Sequence, residues 1–157
     1  MIMIIMYEQF VDREQEMEFL RKNYDSDRAE LIIIYGRRRI GKTELAKRSV
    51  ADRKHIYFFA EETLEEENLN NFKRLVAKYL ENPLIAKSSL TWEEIFELIK
   101  NEDVVIIIDE FPNMIKENKA ILSKFQKIWD EILSKSRIKL VLLGSCISVM
   151  ELSLIHI

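Results

Sequence analysis

Four short runs constrain the fold of this chain more than anything else in it: LIIIY at 31–35, HIYFFA at 55–60, VVIII at 104–108 and IKLVLL at 138–143. None alternates apolar with polar residues, as a strand with one wet face must. Segments between them carry a helical period instead. Residues 61–80 place Leu64, Leu69, Phe72, Leu75, Val76 and Tyr79 along one face, and residues 113–135 do the same with Ile121, Phe125, Ile128, Trp129 and Ile132. Buried strands separated by helices specify an α/β fold with a parallel sheet covered on both sides.

Other local signals fit this frame. Residues 11–23 read as a short amphipathic helix with Met17, Phe19 and Leu20 apolar, and a further helix is expected over 43–51. In LTWEEI, Thr91 is an N-cap with Glu94 three residues on, and Leu90 and Ile95 are placed to form a hydrophobic staple. Pro83 punctuates the chain before it. Trp92 and Trp129 read as core residues, and His55, at a strand start, as structural.

At 157 residues and 48% hydrophobic, the chain can build one globular domain with a real core. Its net charge of −3 gives no global reason to expect nucleic acid or an anionic membrane surface. The single cysteine, Cys146, cannot pair internally, which suits a reducing cytoplasm. The opening MIMIIMY is too short to span a bilayer and lacks the basic flank of a signal sequence, so it reads either as a leading strand or as a mis-called start, with no targeting meaning. No membrane partner is expected.

The chemistry begins after the first run. Gly36, Gly41, Lys42 and Thr43 give G-x-x-x-x-G-K-T, following a strand and opening a helix. Such a loop wraps a phosphate with inward-pointing amides at the positive end of a helix. Lys42 supplies a point charge to the β- and γ-phosphates, and Thr43 a hydroxyl to Mg²⁺. The loop and helix start as a whole, Gly36, Arg37, Arg38, Arg39, Ile40, Gly41, Lys42, Thr43 and Glu44, form the expected binding segment. Because the backbone holds the phosphates, the three arginines are expected to point outward, toward a neighbouring subunit, nucleic acid or acidic residues of the same chain.

In VVIIIDEF, Asp109 stands at the tip of a buried strand, where an unpaired carboxylate is costly and a magnesium ion is a natural partner. Glu110 is next in line to polarise a water for attack on the γ-phosphate. Ser145 ends the fourth run and is placed either to sense the γ-phosphate or simply to turn the strand and cap the next helix. GTPase chemistry is excluded: Asp109 is followed by Glu110, Phe111 and Pro112 rather than D-x-x-G, and Asn118–Lys119–Ala120–Ile121 lacks the acidic end of N-K-x-D.

Taken together, FVDREQEMEFL from Phe10, LIIIYGRRRIGKTELAK, HIYFFA, VVIIIDEFPNM, FQKIWDEI and LVLLGSCISVME resemble the archaeal-type ATPase family of the AAA+/STAND group of P-loop proteins. The resemblance implies ATP and Mg²⁺ as ligands, a three-layer αβα sandwich with sheet order 5-1-4-3-2, and residues 10–16 near the adenine. It also implies a C-terminal module, such as a winged helix, with homo-oligomers and DNA as candidate partners. Residues 1–151 then read as an ATPase core cut after the sensor strand, with the fifth strand missing and the edge beside the phosphate-loop strand open. LSLIHI at 152–157 resembles a translated sequencing adapter. Three functions are compatible with this reading: an Mg²⁺-dependent ATPase driving that module, an ATP-dependent signalling switch with little turnover, and a DNA-associated motor or loader.

Overall fold

The computed structural model describes residues 2–7, 13–36 and 41–145, with side chains from residue 14 onward. Five parallel strands form one sheet: β1 (Ile2–Tyr7), β2 (Glu30–Gly36), β3 (His55–Phe59), β4 (Val105–Asp109) and β5 (Lys139–Gly144), in the order β1-β2-β5-β4-β3. Among the described residues six α-helices connect them: α1 (Arg13–Tyr24), α2 (Lys42–Ser49), α3 (Glu65–Tyr79), α4 (Trp92–Ile99), α5 (Pro112–Glu117) and α6 (Ala120–Glu131). The four strands read from sequence therefore lie in the order the resemblance implies.

The edge beside β2 corrects one expectation. It is not open: β1 pairs with it in parallel, from Ile2↔Leu31 to Tyr7↔Gly36. The unbroken apolar opening thus fills the place expected to be vacant, and the row of β2 amides and carbonyls on that side is satisfied.

Strand parity sorts the core into two layers. Leu31, Ile33, Phe58, Ile106, Ile108, Leu140 and Leu142 face α3, α4 and α6, while Ile32, Ile34, Val105, Ile107, Val141 and Leu143 face α1 and α2. The first layer contains stacked and edge-on aromatics. Phe72 lies 5.4 Å from both Phe58 and Trp92, and Phe125 lies 5.2 Å from Phe111. Such pairs contribute about 0.5–1.5 kcal/mol each beyond their area. Both tryptophans are buried, as expected.

Three local features depart from simple periodicity. Helix α3 starts at Glu65, not at 61, because the buried Asn68 side chain bonds back to the amide and carbonyl of Glu61 and holds 61–64 as a loop. The segment 113–135 is two helices, since Asn118 is extended and its Oδ1 accepts from the Ala120 amide. Lys139 is 1% exposed within β5, and its amine turns to the carbonyls of Ser26 and Arg28. Burial pulls this lysine below its ordinary range. The capping box formed as expected: the Glu94 amide donates to Thr91 Oγ1, and the Thr91 amide to Glu94 Oε1.

Candidate functional site

All strands are parallel, so their C-terminal ends share one side of the sheet, where open α/β sheets bind ligands. Gly36 ends β2 there, and the chain re-enters the described residues at Gly41 with φ 86°. That left-handed value suits glycine and turns the backbone directly into α2. Lys42 follows, 7% exposed, and its Nζ donates to the Gly36 carbonyl at 2.9 Å. Two ends of the phosphate-loop sequence are therefore tied together by the lysine itself.

One residue on, the Thr43 hydroxyl donates to Asp109 Oδ2 at 2.7 Å. Asp109 is 2% exposed, and its other oxygen, Oδ1, accepts from the Glu110 amide at 2.9 Å. Glu110 has φ 53°, a left-handed value that costs a non-glycine residue about 1–2 kcal/mol. Its carboxylate receives the Ser145 hydroxyl, whose oxygen lies 3.2 Å from Oε1 and 3.1 Å from Oε2. The Phe111 amide donates to the Leu143 carbonyl at 2.9 Å, which ties the tips of β4 and β5 together and brings Ser145 within reach. Gly41, Lys42, Thr43, Lys47 and Glu110 line an open cleft of about 470 Å³ above these tips.

The sequence-derived site residues Gly36, Gly41, Lys42, Thr43, Asp109, Glu110 and Ser145 thus meet at one end of the sheet. Glu44 lies on the exposed side of α2 at the rim of the same cleft, 3.9 Å from Arg48. Arg37, Arg38, Arg39 and Ile40 lie outside the described residues, as do Phe10 to Asp12, Cys146 and the segment 152–157. His55 is exposed, and its Nδ1 contacts the Arg53 carbonyl, consistent with a structural role.

The donor set fits magnesium. A threonine hydroxyl and a carboxylate already in contact offer hard oxygens, and magnesium takes few protein ligands because substrate phosphates and water complete its shell. Among the described residues no group of three His, Cys, Asp or Glu side chains could hold a metal by itself. No described helix is long and apolar enough to cross a membrane.

A sequence model of the ATPase domain found predominantly in Archaea matches residues 10–155. The chain belongs to that family. The chain is 50% identical over 141 residues to MJECL04, an uncharacterized protein of Methanocaldococcus jannaschii, covering 90% of the chain and 30% of that protein. It is 49% identical over 45 residues to MJ0423 of the same organism, an uncharacterized ATP-binding protein, covering 29% of the chain and 76% of that protein. Among solved structures, the Walker-type ATPase PABY2304 of Pyrococcus abyssi shares the fold with a TM-score of 0.56 at 20% identity, covering 85% of the chain and 45% of that structure. The fold of the chain is accordingly the αβα sandwich of P-loop proteins.

Sequence reasoning missed Tyr57. Its hydroxyl donates to Asp109 Oδ2 at 2.5 Å, and the Lys47 amine sits 4.4 Å above its ring. Burial, reinforced by the bond to Asp109, pushes this phenol far above its ordinary range, so it remains a donor at neutral pH. Inside HIYFFA it looked like one more aromatic strand residue. The signal was parity combined with register: Tyr57 pairs with Ile107 and Phe59 with Asp109, so Tyr57 and Asp109 are diagonal neighbours on the α2 face.

Proposed function

We propose that this domain binds ATP with Mg²⁺ and hydrolyses it, in the manner of an AAA+/STAND engine that drives a further module. The observation that carries this reading is the Thr43–Asp109 hydrogen bond, which joins the phosphate loop to the acidic strand tip at the mouth of one cleft.

Each group has a distinct task in this reading. Lys42, whose amine donates to the Gly36 carbonyl, turns to phosphate oxygens in a charge-assisted contact. Thr43 and Asp109 hold the magnesium, which supplies charge neutralisation to the transferring phosphoryl group when bound. Glu110 orients the attacking water, and the Ser145 hydroxyl, now on its carboxylate, sets where that carboxylate rests. ATP turnover by wild type, Lys42→Ala and Glu110→Gln tests the assignment. Lys42→Ala should lose binding, whereas Glu110→Gln should keep binding and lose about 10²–10⁴-fold in turnover. Unchanged turnover in Glu110→Gln would remove it as the water-orienting base.

One observation favours a second reading, an ATP-dependent signalling switch with little turnover. Glu110 combines a left-handed backbone with a carboxylate already engaged by Ser145, an arrangement suited to a resting state. Nucleotide-dependent assembly with negligible hydrolysis would select this reading over the first.

A further inference from the structure

Asp109 is held by three donors. The Glu110 amide reaches Oδ1, while the Thr43 and Tyr57 hydroxyls share Oδ2 at 2.7 and 2.5 Å. A carboxylate has about four lone-pair sites, so this one is nearly saturated without any ligand. Each bond has a consequence for the next. Thr43 gives its single proton to Asp109, which leaves the lone pairs of its oxygen for a cation. Asp109 can only impose that polarity on Thr43 while its own orientation is fixed. Of the two donors on Oδ2, Tyr57 is the one anchored outside the phosphate loop, on β3.

Packing alone does not require a tyrosine here. A phenylalanine would fill the same position on the α2 face and still lie beneath the Lys47 ammonium. The hydroxyl is what reaches the 2%-exposed carboxylate. We infer that Tyr57 is the positioning residue of the magnesium site: through its hydroxyl it fixes Asp109, and through Asp109 it sets the Thr43 hydroxyl as a metal ligand. This rests on the reading of the cleft as a magnesium–ATP site.

Groups that orient metal ligands from behind typically account for about 10–100-fold in metal affinity. The test is binding of a fluorescent ATP analogue to the whole chain, wild type and Tyr57→Phe, in EDTA and across a Mg²⁺ titration. Electron paramagnetic resonance of Mn²⁺ with the bound nucleotide gives a second readout, independent of turnover. Tyr57→Phe should shift the metal midpoint upward by about 10-fold or more while leaving affinity in EDTA within about twofold. In an Asp109→Asn background the same change should add at most about twofold, because the two act through one path.

An unchanged metal midpoint in Tyr57→Phe, or an equal loss in EDTA, would overturn the inference and leave the magnesium–ATP reading standing. Wild type that binds nucleotide equally with and without metal would overturn both. Circular dichroism melts of each variant separate these outcomes from loss of the fold, and Tyr57→Leu, lacking both ring and hydroxyl, should show the same metal shift if the hydroxyl matters.

Discussion

The Thr43 hydroxyl donates to Asp109 Oδ2 over 2.7 Å although 66 residues separate them in sequence. A buried carboxylate at a strand tip needs donors, and the first turn of α2 delivers one from the other half of the motif pair. Thr43→Val keeps the shape and removes the donor. A hydrogen bond to a charged group contributes about 1.5–3 kcal/mol, so unfolding in urea should shift its midpoint downward by that equivalent with an unchanged slope. A midpoint equal to wild type would mean that Asp109 does not depend on this contact.

Glu110 should reverse the ordinary ranking of alanine and glycine. In a normal position alanine is the more stabilising residue, because glycine loses more freedom on folding. At φ 53° the alanine Cβ crowds the following carbonyl at a cost of about 1–2 kcal/mol, which glycine escapes. Both substitutions lose the Ser145 contacts equally, so the comparison isolates the backbone. Glu110→Gly is expected to be more stable than Glu110→Ala by about 1 kcal/mol, read as a thermal midpoint several degrees higher. The opposite order would place this residue in an unstrained conformation.

That strain was invisible in the letters D-E-F-P, which is where the sequence stops being readable. Four strands, their parallel sense and the pairing of Lys42 and Thr43 with Asp109 followed from apolar runs and motif spacing, because burial on both faces and phosphate geometry each dictate residue type, whereas the strand order came from the family resemblance. Tyr57 was not legible, since its role depends on the register of β3 against β4, a non-local quantity. The seat of β1 was not legible either: an apolar hexapeptide can pair with any open edge, and only the assembled sheet shows that the edge at β2 receives it. The break at Asn118 needed its side chain to compete for a backbone amide, a choice that helical periodicity does not record.

Acid should loosen the contact between α3 and α6. Burial acts to raise the Glu65 carboxyl, but hydrogen bonds from Lys124 and Asn118 outweigh it, and its pKa falls below the ordinary glutamate range. The bonds are 2.9 Å from Lys124 Nζ and 2.7 Å from Asn118 Nδ2, and Glu65 also opens α3, where negative charge is favoured. A depressed folded-state pKa contributes stability above the unfolded value, and that contribution is lost as pH falls through the folded value. Glu65→Gln should therefore be less stable than wild type near neutrality, and the difference should vanish once pH drops below the folded pKa. Urea midpoints of the two proteins followed from neutrality down through the acid range check this; parallel curves would remove the linkage.

Lys42 separates binding from folding. Its amine donates to the Gly36 carbonyl at the mouth of the cleft, where phosphate oxygens would offer it a charge-assisted contact. Lys42→Met keeps the aliphatic stem in the same buried position and removes the charge. A lost charge-assisted contact corresponds to about 10–100-fold in affinity for magnesium–ATP. Ligand present at about 100 times the dissociation constant stabilises a protein by about 2.7 kcal/mol, whereas ligand near the dissociation constant gives only about 0.4 kcal/mol. At a nucleotide concentration about 100 times the wild-type dissociation constant, the thermal shift of Lys42→Met should therefore fall to between about one half and about one sixth of the wild-type shift, each protein being measured against itself without nucleotide. A variant that melts like wild type under both conditions would show that the loop holds phosphate through its backbone alone.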